Sequence, residues 1–220
     1  MSIKAKDEVV GLIKENRIIA IIRTDEQEIA LKAAEAMISG GISVLEFSYT
    51  MRFAGELIKE LNEKYAKRGV IIGAGTILDP ETAKIAISSG AQFIISPYLN
   101  IETVKMCLRY RIACIPGAMT VKETADCMEA GADMVKVFPS ELFGPAIIKA
   151  IKGPLPQAAL VPTGGITLEN INTWFDAGAE AVGIGTNLIK KASEGDYGAV
   201  TERAHSYVEK VTSYKTLQRL

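Results

Sequence analysis

The 220-residue sequence predicts an α/β fold, a (β/α)8 (TIM) barrel forming a single domain over residues 1–220, with an extra helix ahead of the first strand. Three observations predict it. Eight short apolar runs alternate with helix-like stretches, as in a parallel sheet covered by helices. Four of these runs share one layout: "GISVLEF" from Gly41, "GAQFIIS" from Gly90, "GADMVKV" from Gly131 and "GAEAVGI" from Gly178. Each follows an Ala-rich stretch and opens on a glycine suited to end a helix in the left-handed conformation. Finally, the turn after the first run, "RTDEQE", lacks the glycines that an open doubly wound sheet would carry there.

The elements follow in order. Residues 2–15 are the extra helix, and "IIAIIR" (18–23) is the first strand. Thr24 and Gln27 have capping-box spacing and start the next helix. "GISVLEF" is the second strand and "VIIGAGTI" (70–77) the third, followed by an Asp79 cap with Pro80 at the first helical position. "GAQFIIS" is the fourth, with Asn100 as the next cap. "ACIPGAM" (113–119) is the fifth, and Thr120 with Glu123 forms a second capping box. "GADMVKV", "ALVPTGG" (159–165) and "GAEAVGI" complete the eight, with Thr167 a further cap.

Composition narrows the function. Apolar residues make up 48%, charged residues 23%, and the formal net charge is -1, which suits a globular chain. No basic block points to nucleic acid or a membrane surface, and the apolar runs are strand-sized. "MSIKAKDEVV" has no apolar signal core, so a cytoplasmic protein is expected. Cys107, Cys114 and Cys127 lack metal-site spacing and read as thiols. The single histidine, His205, makes a catalytic triad or multi-histidine site hard to build, so no metal and no cofactor is expected.

Two charges interrupt the apolar runs. Counting five residues on from each repeated glycine gives Glu46, Ile95, Lys136 and Gly183. Alternate strands of such a barrel fill one inward layer, so Glu46 and Lys136 face one another at its mouth. A buried salt bridge is one reading of the pair. The other is a lysine nucleophile with a carboxylate acid/base. A lysine in an apolar pocket loses hydration of its charged form, and its neutral amine attacks carbonyls to form a Schiff base. Further along, "PTGGIT" and "GIGTN" end the seventh and eighth strands, where loops of this fold cradle phosphate with backbone amides. The glycines could equally serve tight turns alone.

"GAGTILDPE", "FIISP", "IPGAMT", "VKVFPSELFGP" and "VPTGGITLENI", in this order, closely resemble the 2-keto-3-deoxy-6-phosphogluconate (KDPG) aldolases, which include the 4-hydroxy-2-oxoglutarate aldolases. The resemblance runs from about Ile18 to Leu188. It implies a class I aldolase on a (β/α)8 barrel, a homotrimer, that cleaves KDPG to pyruvate and glyceraldehyde 3-phosphate. By position it makes Lys136 the Schiff-base lysine and Glu46 the proton shuttle. Thr76 and Pro97 match contacts to the pyruvate part, and Gly164, Gly165, Gly185, Thr186 and Asn187 match the phosphate end. Phe138 and Thr163, inside the same motifs, join the substrate-binding set.

The sequence departs from the family in places. Many members read "EVTLRT" on the second strand, where the arginine binds the substrate carboxylate. Here the stretch is "EFSYTM", with Thr50 at that position. Arg23, at the end of the first strand, is the replacement its fork geometry suits, unless it pairs with Asp25 or Glu26; Arg52 lies past the strand. Tyr98 and Asn187 also stand where glycine and serine are common. Two other classes compete with the aldolase. An epimerase or decarboxylase on a phosphosugar barrel needs more acidic or metal-binding groups, and a non-catalytic sugar-phosphate binder has no reason to bury Lys136. Within the aldolases, the galactonate-type acid is an alternative substrate.

Overall fold

The structure is a computed structural model and describes residues 4–65 and 68–217. Helix α1 (Lys6–Asn16) precedes strand β1 (Ile18–Ile22). The start of the expected helix at residue 2 lies outside the described residues. Then follow α2 (Gln27–Ser39), β2 (Val44–Ser48), α3 (Ala54–Tyr65), β3 (Ile71–Gly75), α4 (Pro80–Ser88), β4 (Phe93–Ile95) and α5 (Ile101–Tyr110). The second half holds β5 (Ala113–Ile115), β6 (Gly117–Ala118), α6 (Val121–Glu129), β7 (Val135–Val137), α7 (Ala146–Lys152), β8 (Leu160–Pro162), α8 (Ile171–Asp176), β9 (Val182–Ile184), α9 (Thr186–Ile189) and α10 (Tyr197–Leu217).

All strand pairs are parallel. A curled sheet of six runs in the order β5-β4-β3-β2-β1-β9, and a second sheet of three runs β6-β7-β8. A single parallel bridge, Thr163 to Gly183, links the end of β8 to β9. The eight expected runs are thus all strands, but the fifth is split into β5 and β6 around Pro116. Proline lacks the N–H a ladder needs. Its carbonyl still accepts from the Lys136 N–H at 2.9 Å.

Most apolar burial lies between sheet and helices. A separate inner cluster draws Ile19, Val44, Ile71, Phe93, Ile115 and Val161 from both sheets, and Val9 and Ile13 of α1 pack into it. Lys6 bonds Asp133 at 2.6 Å and holds α1 in place there. The inner cluster is closed to water by α1 at the N-terminal ends of the strands, which leaves the C-terminal ends to carry polar groups.

Local signals worked as read at most boundaries. Gly41, Gly90, Gly131 and Gly178 have φ between 97° and 103° and end their helices as expected. Asp79 and Asn100 cap α4 and α5, and Thr120 with Glu123 completes the capping box of α6. Two readings need correction. α2 begins at Gln27 after Glu26, so Thr24 lies too far back to cap it, and its N–H turns to the Met51 sulfur at 3.4 Å. Thr167 pairs with Asn170 in a turn ahead of α8 instead of capping the helix itself.

Candidate active site

Lys136 sits mid-strand in β7, between Gly117 of β6 and Val161 of β8. Glu46 sits in β2, opposite Ile21 of β1 and Gly73 of β3. Their exposures are 6% and 2%. Among the described residues neither side chain makes a hydrogen bond or ion pair, so the buried salt bridge is not formed. The two are nonetheless within electrostatic reach, because the Glu46 carboxyl feels the Lys136 charge. Lys136 Nζ lies 4.9 Å from the centroid of the Phe138 ring.

The path of Glu46 is set by the neighbouring strand. Its carboxylate lies across β3 at Gly75, where any Cβ would collide with Glu46 Oε1. The next residue, Thr76, has φ 58°, a left-handed conformation that β-branched residues rarely adopt. Such strain gathers at functional sites. The Thr76 hydroxyl is 2.9 Å from Ser48 Oγ, which is 2.9 Å from the Thr50 hydroxyl. Ser48 is a polar residue that sequence reasoning passed over. The signal was available: it lies two residues beyond Glu46 on a strand and so shares its face.

Arg23 follows β1 and is exposed. Its charge acts on Glu46, and among the described residues it makes no ion pair with Asp25 or Glu26. Pro97 follows β4, and its carbonyl lies against Gly117, beside Lys136. Arg23, Thr50, Thr76 and Pro97 each lie just past the C-terminal end of a strand.

The glycine turns follow β8 and β9. Gly164 and Gly165 have φ 105° and 70°. The Glu141 side chain lies against both, so a Cβ at either position would meet it. Gly165→Ala would therefore be strained as well as crowded. Glu141 is a second residue missed from sequence; it stands in a 3₁₀ turn after β7, where no periodicity announces a contact. Ser140 Oγ donates to the Gly164 carbonyl at 2.8 Å. Thr163 bridges to Gly183 of β9. Gly185 leads into the short α9, and Asn187 Nδ2 donates to the Ile166 carbonyl at 2.7 Å, tying the two turns together. Thr186 is exposed, with no side-chain hydrogen bond among the described residues. The described residues contain no group of three or more His, Cys, Asp and Glu that could hold a metal ion.

Residues 9–203 match the family described as KDPG and KHG aldolase. The chain belongs to that family. It is 34% identical over 174 residues to the 2-dehydro-3-deoxy-6-phosphogalactonate aldolase of Escherichia coli (strain K12), covering 79% of this chain and 84% of the relative. It is 37% identical over 156 residues to the 2-dehydro-3-deoxy-phosphogluconate aldolase of Treponema pallidum (strain Nichols), covering 70% and 73%. A crystal structure of KDPG aldolase from Legionella pneumophila, with pyruvate captured at low pH as a covalent carbinolamine intermediate, is similar at TM-score 0.82 and 29% identity. That match covers 90% of this chain and 96% of the Legionella chain.

In this KDPG and KHG aldolase family member, the buried acid has a consequence for stability. Desolvation raises the Glu46 carboxyl above its ordinary 4.5, with Lys136 and Arg23 pulling the other way. A raised carboxyl keeps its proton in the folded state after the unfolded chain has released it. Stability therefore falls as pH rises through the window above 4.5. Glu46→Gln removes that loss. Urea unfolding from about pH 4 to about pH 8 should show the variant gaining on the wild type as pH rises. Parallel curves would mean that Glu46 is solvated in the folded protein.

Proposed function

We propose that this chain is a class I aldolase. It cleaves 2-dehydro-3-deoxy-6-phosphogluconate to pyruvate and glyceraldehyde 3-phosphate, through a Schiff base on Lys136. The observation that carries this reading is the joint burial of Lys136 and Glu46 with no direct bond between them. A pair held apart leaves both groups free to act on a substrate lying between them.

The neutral Lys136 amine attacks the C2 ketone, and the carbinolamine takes up a proton from solvent and loses water to give an iminium ion. Glu46, as carboxylate, takes the proton of the C4 hydroxyl. The C3–C4 bond breaks, its electrons flow to the iminium nitrogen, and the aldehyde leaves. Glu46 returns the proton to C3 of the enamine, and water releases pyruvate and the free lysine. Arg23 holds the C1 carboxylate through its fork. Thr50, Thr76 and Pro97 surround the pyruvate part, Phe138 backs the nucleophile and Thr163 lines the wall. Gly164, Gly165, Gly185, Thr186 and Asn187 cradle the phosphate end.

The family description also names KHG, which supports a second cleavage, of 4-hydroxy-2-oxoglutarate to pyruvate and glyoxylate. The similarity to the galactonate enzyme supports the epimeric substrate as the main competitor. Rates on a panel of the three acids decide among them. We also read the two sheets as one closed (β/α)8 barrel in a single domain over residues 1–220. The bridge at Thr163 supports one seam, and continuity of β5 and β6 through Pro116 supports the other. A cytoplasmic homotrimer in an Entner-Doudoroff type of carbohydrate breakdown completes this reading; sedimentation tests the trimer.

Four measurements test this reading. Borohydride added with pyruvate should fix one three-carbon adduct, and peptide mapping should place it on Lys136. Glu46→Gln should still trap pyruvate while cleavage falls by roughly 10²–10⁴-fold. An adduct on Lys149 or Lys152 would sink the assignment. Arg23→Met should raise the pyruvate dissociation constant and weaken every 2-keto acid alike; a silent Arg23→Met beside a damaging Arg52→Met would move the carboxylate site. At the phosphate end, Thr186→Glu should raise KM for the phosphorylated acid more than Thr186→Gln, because only the glutamate sets a like charge beside a dianion; the difference should shrink as salt is added. Equal effects of the two variants would remove Thr186 from that site.

A further inference from the structure

We propose that Ser48 and Thr50 act as a directional hydroxyl relay, in which Ser48 is a positioning residue that turns the Thr76 hydroxyl toward the substrate. The proposal rests on the aldolase reading of the same site. It assigns Ser48 a role, and it moves Thr50 from contacting substrate to acting through Ser48.

The geometry begins at Ser48, which is 1% exposed. Its Oγ lies 2.9 Å from Thr50 Oγ1 on one side and 2.9 Å from Thr76 Oγ1 on the other. The Thr50 backbone N–H also reaches Ser48 Oγ, at 3.4 Å. A hydroxyl has one proton to give and two lone pairs. With the Thr50 N–H on one lone pair, one lone pair and one proton of Ser48 Oγ remain for the two threonines, so Ser48 donates to one and accepts from the other and the chain has a polarity. If Ser48 donates to Thr50, the Thr76 proton is spent on Ser48 and only lone pairs face the site. If Thr50 donates to Ser48, Ser48 donates to Thr76, and the Thr76 proton is free.

Charge selects between these two. The substrate end that lies here is an anion with a neighbouring keto oxygen, and both need donors. Thr76 is held rigidly for this purpose. Its φ of 58° fixes where its side chain leaves the backbone, directly after Gly75, over which the Glu46 carboxylate lies. An anion therefore orders the relay as Thr50 to Ser48 to Thr76 to substrate. Each donor in such a chain polarises the next. Thr50 is exposed, so it can take its own partner from solvent.

A relay differs from three separate contacts in one measurable respect. Ser48→Ala and Thr50→Val should each raise the pyruvate dissociation constant about tenfold, the scale of losing support for a hydrogen bond to a charged group. Combined in one chain, they should do no more than Ser48→Ala alone, because Thr50 acts only through Ser48. Ser48→Thr, which keeps a hydroxyl, should recover most of the loss. Thermal midpoints read beside the binding identify any loss that comes from misfolding, and Ser48→Thr then decides in place of Ser48→Ala. Additive effects would overturn the relay and make Thr50 an independent contact. Unchanged binding in both variants would overturn it too. If the wild type traps no pyruvate adduct at all, the aldolase reading itself fails and the relay falls with it; trapping in the wild type separates the two failures.

Discussion

A carboxylate can lie across β3 only because position 75 carries no side chain. The rest of the site depends on that close approach. Glu46 cannot turn outward without leaving the face of β2 that its strand assigns to it, and it cannot reach water through an inner cluster closed by α1. It is therefore held beneath the strand ends, desolvated and near Lys136 without touching it. Moving the carboxylate toward the lysine would join the two as a buried ion pair.

Much of this was legible in the sequence because one repeated unit made both the fold and the register visible. A glycine that ends a helix fixes where the next strand starts, and the strand's period of two then fixes which residues face inward. Counting from Gly41 and Gly131 was enough to set Glu46 against Lys136. The places where reading failed lack such an anchor. Thr24 had the right spacing for a cap, but spacing says nothing of where backbone geometry turns helical. Glu141 lies in a turn without periodicity, and its contact with Gly164 depends on two loops meeting after β7 and β8. Ser48 had a register but no charge to draw attention to it.

Membership in the KDPG and KHG aldolase family does not make the site uniform. Arg23 and Lys136 are the two cations that act on Glu46. With threonine at position 50, positive charge comes from the end of β1 and from β7, while Ser48, Thr50 and Thr76 are linked through their hydroxyls. Hydroxyls reorient at little cost, whereas a guanidinium fork fixes one geometry.

The pairing of β1 with β9 also bears on how the chain comes to be folded during synthesis. Ile18 finds its partner only at Val182, so β1 keeps an open edge until most of the polypeptide has left the ribosome. The β2 neighbour arrives early and supports one side. Until the last strand emerges, the other side presents unpaired N–H and C=O groups from an almost wholly apolar segment, the kind of edge on which strands of other chains add. The nascent protein thus stays open to misassociation until β9 emerges, and the same late strand that ends this exposure leads into Gly185 and Thr186.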